Sequence, residues 1–386
     1  KPGGRGFESP PRDHLKLNNT ITLFYRVANY LRTQYSVVYL DMDKLDIVKI
    51  ENFNLWYSLV TKTSYATYPT LRSPHKLLIK YGNEYYLLPF KLMRIGKLVI
   101  CESFGKNVDG GPIPLGTACQ KNIRNFWRNF LNKIKHTCHI VSLTLRLWIK
   151  HHMHIMEFAK GKYPFTYLFP RILKLQDFNT IWKSMSKKAR NRYRYFVKNG
   201  GIVFKDQPEK YVREILEINI SSPIRQGRPL PKSYIDPRKV IMNAKIWGHD
   251  VRKGIASFYI AKLDGKIVGY AYIPHLNKHA YVARFMTHYS YMKYGVGNGL
   301  LIEIIKDLIE NRKAEILQYG YWRNVNPGVN HFLKQHGFKT LPEVVISFHT
   351  REILRPLSEL YIKAIKLSNV VKSRPPSILL HVKSWI

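Results

Sequence analysis

Residues 294–301 read YGVGNGLL, and the fold turns on what this stretch does. Glycines stand at 295, 297 and 299, and the following LLIEIIKDLIE places apolar residues at helical spacing. A helix is therefore expected to begin among the glycines. Bare backbone at a helix start lets amide groups approach an anion, and the helix dipole favours negative charge there. Glycine also serves turns that need positive φ, so spacing alone leaves both roles open.

Working outward, ASFYIAKLDGKIVGYAYIPHLNKHAYVARFMTHYS (256–290) alternates like three antiparallel strands, with turns at Asp264-Gly265 and around Asn277. Downstream, EILQYGYW (315–322) reads as a strand, NPGVNHFLKQHGF (326–338) as a helix and EVVISFHT (343–350) as a final strand. Upstream, DFNTIWKSMSKKARNRYRYFVKNGG (177–201) reads as one basic helix stopped by Gly200-Gly201. GIVFKDQ is then a strand and PEKYVREILEINISS a helix. The first half mixes elements in the same way. Helices are expected over 20–33, over 53–63 and in NIRNFWRNFLNKIK (122–135). Strands are expected over 36–43, in KLVICESF (97–104) and in HIVSLTLRLW (139–148). KLLIKYGNEYYLLPFKL reads as a hairpin about Gly82-Asn83. The fold class is α/β, with mixed, mostly antiparallel central sheets flanked by helices.

The 386 residues suffice for two domains, and 63 Lys plus Arg against 25 Asp plus Glu give a formal net charge of +38. Such a balance speaks of anionic partners, RNA or a membrane surface, or else of a general compositional bias. The basic residues are spread along the chain, which suits the bias. Three cysteines without a CxxC pair make no disulfide framework, so a reducing, cytoplasmic setting is expected, with the inner membrane face a further possible place of attachment. His136, Cys138, His139, His151, His152 and His154 invite a zinc reading, but their spacing fits no closed four-ligand set, and no metal is expected.

The order of meander, glycine loop, helix, strand, helix and strand resembles the GNAT acyltransferase superfamily. That family's loop runs Arg or Gln, two residues, Gly, one residue, Gly or Ala; Tyr294, Gly297 and Gly299 stand in those places here. Four stretches resemble the FemAB-like and BioF-like branch: WKSMSKKARNRYRYFVKNGGIVF, SPIRQGRPLP, LDGKIVGYAYI with YGVGNGLL, and ILQYGYWRNVNPGVNHFLKQHGF with Gly320, Phe332, Lys334 and Gly337. The resemblance implies two GNAT-like lobes, over 19–165 and 166–350, after a disordered 1–18 and before a basic helix or tail over 351–386. It implies that Tyr294, Gly295, Val296, Gly297, Asn298 and Gly299 hold the pyrophosphate of an acyl-coenzyme A, acetyl-coenzyme A foremost. A FemAB-like relative would take its donor from aminoacyl-tRNA instead. The acceptor would be an amine of unidentified structure.

Such transfer asks for proximity, a donor near the acyl oxygen and a base for the amine proton. His288 has the pKa range of a base, and Tyr289 or Tyr321 could protonate the leaving group. Arg225, Gln226 and Arg228 in the IRQGRP loop, with Arg284 and Asn324, could grip an anionic group of the acceptor. The helix at 183–198 interleaves Lys187, Lys188, Arg190, Arg192 and Arg194 with Tyr193 and Tyr195, a face suited to RNA or anionic headgroups. The rival class is a binding protein for nucleic acid or membrane surfaces that keeps the fold without catalysis.

Overall fold

The structure, a computed structural model, describes residues 45–49, 75–81, 84–95, 98–103, 113–114, 123–135, 137–146, 150–222, 224–225, 228–321, 327–340 and 343–370. The expected N-terminal segment, the elements over 20–33, 36–43 and 53–63, and the Gly82-Asn83 turn lie outside them, as do Gln226 and Asn324.

In the first half the strands are β1 (Leu45–Lys49), β2 (His75–Tyr81), β3 (Glu84–Ile95), β4 (Leu98–Ser103), β5 (Ile113–Pro114), β6 (Ile140–Arg146) and β7 (Phe165–Leu168). Helices α1 (Ile123–Ile134) and α2 (Lys150–Ala159) lie among them. The second half brings β8 (Pro170–Lys174), α3 (Phe178–Ser184), α4 (Lys187–Lys198), β9 (Ile202–Lys205) and α5 (Val212–Ile220). The short β10 (Ile224–Arg225), β11 (Arg228–Pro229) and α6 (Lys232–Ile235) precede α7 (Pro237–Arg252). Then come β12 (Ala256–Leu263), β13 (Lys266–Leu276), β14 (His279–Tyr281), β15 (Arg284–Thr287) and α8 (Val296–Glu310). β16 (Ile316–Tyr321), α9 (Pro327–Gln335), β17 (Lys339–Thr340), β18 (Glu343–His349) and α10 (Arg355–Val370) close the chain.

Two mixed sheets result. The first runs β1-β2-β3-β4-β6-β18-β7, with β5 beside β3; the second runs β17-β8-β16-β14-β13-β12-β9, with β15 beside β13. Each sheet is antiparallel except for one parallel pair, β4 with β6 and β14 with β16. In each case a single long helix, α1 or α8, makes the crossover, as parallel strands require. The two lobes thus repeat one plan of meander, helix and parallel strand.

The meander forms for the reasons the sequence suggests. Asp264 and Gly265 take φ of 49° and 74°, the paired positive angles of a tight hairpin turn, and Asn277 sits at 55°. The basic helix, expected as one, is two. Met185 is extended, at φ −70° and ψ 146°. The Ser186 hydroxyl accepts from the Ala189 amide at 3.1 Å and starts α4 afresh. The Ser186 amide is drawn off to the Gln335 carbonyl, 2.9 Å away, which explains the break. The far end is a Schellman stop, with Gly200 at φ 72° and Gly201 donating to the Phe196 carbonyl at 3.0 Å.

The division of the chain differs from a cut at 165/166 followed by a continuous second lobe to 350. β18, expected in the second lobe, pairs with β6 and β7 in the first sheet. β7 and β8 are separated by Phe169 alone, yet they lie in different sheets. The chain therefore passes between the lobes twice. The physical reason lies in EVVISFH. Val344, Ile346 and Phe348 enter the first lobe's core with Trp127 and Phe130. On the alternate face, Ser347 accepts from the Ser358 hydroxyl of α10 at 2.9 Å. A strand buried on both faces has to be central, and the gap between β6 and β7 is the place for it.

Phe348 is fully buried, with its ring 5.2 Å from Trp127 and 4.8 Å from Tyr163. Phe348→Ala is expected to lower stability by roughly 3–5 kcal/mol. Amide exchange should speed up over 123–168 before it does over 256–287. The reverse order would contradict this strand placement.

Candidate functional site

The second sheet is sandwiched. One face carries a core of α3, α4 and α8 residues, including Phe196, Leu300 and Ile304. The other carries Ile215, Val240 and Trp247 from α5 and α7. Within it, β14 and β16 pair over only three residues, His279 to Tyr281 against Ile316 to Gln318. Val282 adds one further bond to the Gln318 carbonyl at 2.9 Å. Beyond that point β15 stays with β13 while β16 pairs with β8. A wedge opens between two strands. Phe285 on β15 faces Tyr319 on β16 at 5.7 Å and Phe332 on α9 at 6.3 Å across it. Burial raises the Tyr319 phenol well above its ordinary value.

The quoted loop sits at the end of this wedge. The His288 amide donates to the Val268 carbonyl at 2.8 Å. Tyr289–Tyr294 form a turn of 3₁₀ helix, and α8 starts at Val296. The Gly299 amide already donates to the Gly295 carbonyl at 2.9 Å, so the amides of Val296, Gly297 and Asn298 are the ones a helix start leaves over.

The three glycines have unequal roles. A Cβ on Gly295 would lie 2.4 Å from the Arg192 carbonyl, and its φ is 79°. A Cβ on Gly299 would lie 2.2 Å from the Phe196 ring. These two are bare so that α4 can lie against α8. The nearest atoms to a Cβ on Gly297 would be those of the Phe285 and Phe332 rings, at the ordinary contact distance of 3.9 Å. Gly297 alone opens onto the wedge.

The neighbouring candidates divide similarly. His288 is partly buried, its Nδ1 has no partner among the described residues, and its ring meets Tyr291 edge-on at 5.3 Å. Tyr289 points outward, 62 % exposed. Tyr294 stacks on Tyr195 at 6.3 Å. The Asn298 amide nitrogen lies 3.2 Å from His336 Nε2, and His336 Nδ1 lies 2.7 Å from the Phe332 carbonyl. Nδ1–H therefore donates to Phe332, and Nε2 accepts from Asn298.

Arg225, expected to grip a substrate, has its Nη2 bonded to the carbonyls of Ile218 and Thr287, each at 2.9 Å. It ties α5 to the end of β15, and burial lowers its pKa. Arg284 lies over the Tyr234 ring at 4.7 Å. Arg228 and Tyr321 have described backbone in β11 and at the end of β16.

Two residues were not anticipated. Arg171 of β8, 6 % exposed, reaches Asn330 Oδ1 at 2.9 Å and lies 5.9 Å from the Tyr319 ring, a buried cation beside the wedge. Arg171 and Asn330 are 159 residues apart, and no local pattern could have joined them. His336, in the turn that ends α9, could have been noticed only as a histidine within the expected helix over 326–338. One basic residue of α4 reaches the loop: Arg192 Nη1 donates to the Lys293 carbonyl at 2.6 Å. Beside it a depression of about 660 Å³ is lined by Lys187, Lys188, Asn191, Arg192 and Tyr195.

Residues 225–338, spanning the wedge, the loop and α9, match the sequence profile of the Acetyltransferase (GNAT) family. This stretch of the second lobe is a GNAT domain. Over 81 % of its length the chain shares its fold with FemX, at TM-score 0.57 and 10 % identity, covering all (100 %) of that chain. A similar likeness joins it to the C-terminal domain of a putative lysylphosphatidylglycerol synthetase from Agrobacterium fabrum, at TM-score 0.51 and 11 % identity over 84 % of this chain and 98 % of that one. A protein of unknown function from Bacteroides thetaiotaomicron follows at TM-score 0.52 and 10 % identity, over 79 % and 99 %. At these identities the likeness is one of fold. No curated protein matches the sequence. Among the described residues no helix is long and apolar enough to cross a membrane.

The GNAT loop's glycines give a sharp contrast. Gly295→Ala should cost roughly 2–4 kcal/mol through overpacking and positive φ, while Gly297→Ala should change stability by less than about 1 kcal/mol. Urea midpoints would check both. Burial also lowers His336 to about 4. Its folded pKa lies below its unfolded one, so its stabilising effect is complete above about pH 6.5 and fades as pH falls towards 4. Between pH 7 and 5 this group should account for a loss of about 2 kcal/mol. His336→Gln should remove that part of the pH slope; an unchanged slope would show that His336 titrates normally.

Proposed function

We propose that the chain is an N-acyltransferase in which an amine attacks an acyl group carried by coenzyme A at the wedge between β15 and β16. The observation that carries this reading is the position of Gly297. It is half-buried, lies in the first turn of α8 and faces the Phe285 and Phe332 rings that line the wedge. An anion on the Val296, Gly297 and Asn298 amides would point its attached chain straight between the two strands. Two of the three glycines are committed to packing, so this cradle is smaller than the loop's sequence suggests.

In the reaction the amine nitrogen attacks the thioester carbon. A C–N bond forms, the C–S bond breaks, and sulfur leaves as a thiolate. The amine proton goes to the unpartnered Nδ1 of His288, at the inner end of the loop. The thiolate takes a proton from a tyrosine. Tyr289 is 62 % exposed, and we assign that role to Tyr321, whose backbone ends β16. Arg171 supplies positive charge beside the wedge, where an oxyanion would develop.

A second reading, donor transfer from aminoacyl-tRNA, is favoured by one observation. The α4 depression combines Lys187, Lys188 and Arg192 with Tyr195, whose ring stacks on Tyr294, which suits a nucleic-acid backbone and a base. Isothermal titration of acetyl-coenzyme A separates the two. Micromolar binding to the native chain, weakened at least 100-fold by Gly297→Asp, is the expected result. Absence of binding to the native chain would overturn the coenzyme A reading. Charged tRNA bound with a steep salt dependence would then support the second.

A further inference from the structure

At the other end of α8 lies a group of side chains that the acyl-transfer reading does not use. Its N terminus meets the wedge; its C-terminal turn carries Asp307, 11 residues on from Val296 and about 16 Å away. Asp307 is saturated. Its Oδ1 accepts from Lys205 and from Asn311 at 2.9 Å, and its Oδ2 from Tyr259 at 2.7 Å and Lys313 at 3.1 Å. Burial alone would raise this carboxyl, but the bonds from Lys205 and Tyr259 and the nearby Lys313 hold it below the usual range. It is a fixed anion that positions two lysines.

Those lysines line a cavity of about 440 Å³ together with Asp206, Gln207, Ser257 and His275. The hydrogen bonds on its wall have a direction. Lys313 Nζ donates to Ser257 Oγ at 3.1 Å. An ammonium has nothing but donors, so the serine's own proton is directed to His275 Nε2, 3.2 Å away. His275 Nδ1–H is then the ring's remaining donor, and the Ala256 backbone takes part in a hydrogen bond with this ring. Burial, followed by the Lys313 charge, lowers His275 to about 4, so it stays neutral as this arrangement needs. Asp206 is saturated as well, accepting from the Gln207 amide at 2.7 Å, Lys210 at 2.8 Å and Tyr211 at 2.6 Å. Every carboxylate oxygen at the cavity is therefore occupied. What the wall has left to offer is donors: the remaining ammonium protons of Lys205 and Lys313 and the side-chain NH2 of Gln207, whose Oε1 faces Arg252. Lys205 is also 44 % exposed at its side chain, so the cavity is reachable from solvent.

We infer that this cavity is a second binding site, separate from the acyl-transfer wedge, for a small molecule bearing a phosphate or carboxylate group. The anionic group sits between Lys205 and Lys313, with Gln207 as a further donor. The volume suits a small metabolite and is too small for a macromolecule.

The test is calorimetric titration of the full chain with inorganic phosphate and, separately, with acetate, at constant ionic strength. One saturable site is expected for at least one of the two. Phosphate alone would assign a phosphorylated ligand; acetate alone or both would assign a carboxylated one. Lys205→Gln and Lys313→Gln should each weaken binding at least tenfold, while acetyl-coenzyme A titration stays as in the native chain. Lys313→Gln also removes a partner of Asp307, so unfolding midpoints accompany it. The exposed Lys205→Gln carries the test if Lys313→Gln fails to fold. Binding that is unchanged in Lys205→Gln, or no saturable binding of either anion, would overturn the inference.

Discussion

The contact between α4 and α8 is the constraint on which the candidate site depends. At Gly295 and Gly299 the two helices approach until the Arg192 carbonyl and the Phe196 ring fill the space that side chains would need. Close-packed interiors tolerate no compromise at such a point. The contact fixes where α8 starts, and so which amides face the wedge. It also places Arg192 beside the Lys293 carbonyl, which brings the basic face of α4 against the loop. Phe196 serves twice, because Gly201, just past the α4 stop, also needs its bare backbone against the same ring.

A second constraint acts at the level of topology. The first lobe completes its sheet with β18, a strand that follows the whole second lobe in sequence, while the second sheet takes β8 directly after β7. Arg171 reaches the wedge because β8 crosses over immediately after β7. A cation could hardly be buried so deeply without that strand's position and the Asn330 side chain to receive it.

The polar groups inside the GNAT lobe follow a common pattern. His336 and His275 are neutral because burial disfavours their charged forms, and each is held in one tautomer by an oriented partner. His336 fixes Asn298 in the first turn of α8, and His275 receives the proton of Ser257. Asp307 remains charged in comparable surroundings because four donors converge on it. Burial sets the cost in each case, and the partners decide which protonation state survives.

Much of the fold was legible in the residues themselves. Alternation and the Asp264-Gly265 turn specified the meander, the apolar periodicity after residue 299 specified α8, and Gly200-Gly201 marked a helix end. These are local signals, set by backbone sterics and by periods of two or 3.6 residues. The site was legible only in outline. Gly297 faces the Phe285 and Phe332 rings of the wedge, and His288 stands just before the loop. Gly295, Gly299 and Arg225 turned out to serve packing and bracing, and a substrate role cannot be told from a structural one when the partner, Arg192, Phe196 or Thr287, is distant in sequence. The break at Ser186 escaped notice because it depends on the Gln335 carbonyl. The sequence by itself determined the meander strands, α8, β16, α9 and β18 as elements, because each of those patterns is read against its own backbone; the helices α2 and α7 and the break at Ser186 were not among its expectations. The tertiary structure alone decided which sheet β18 joins, which glycine faces the wedge and which cation is buried beside it, because those outcomes rest on contacts between residues that the chain keeps far apart.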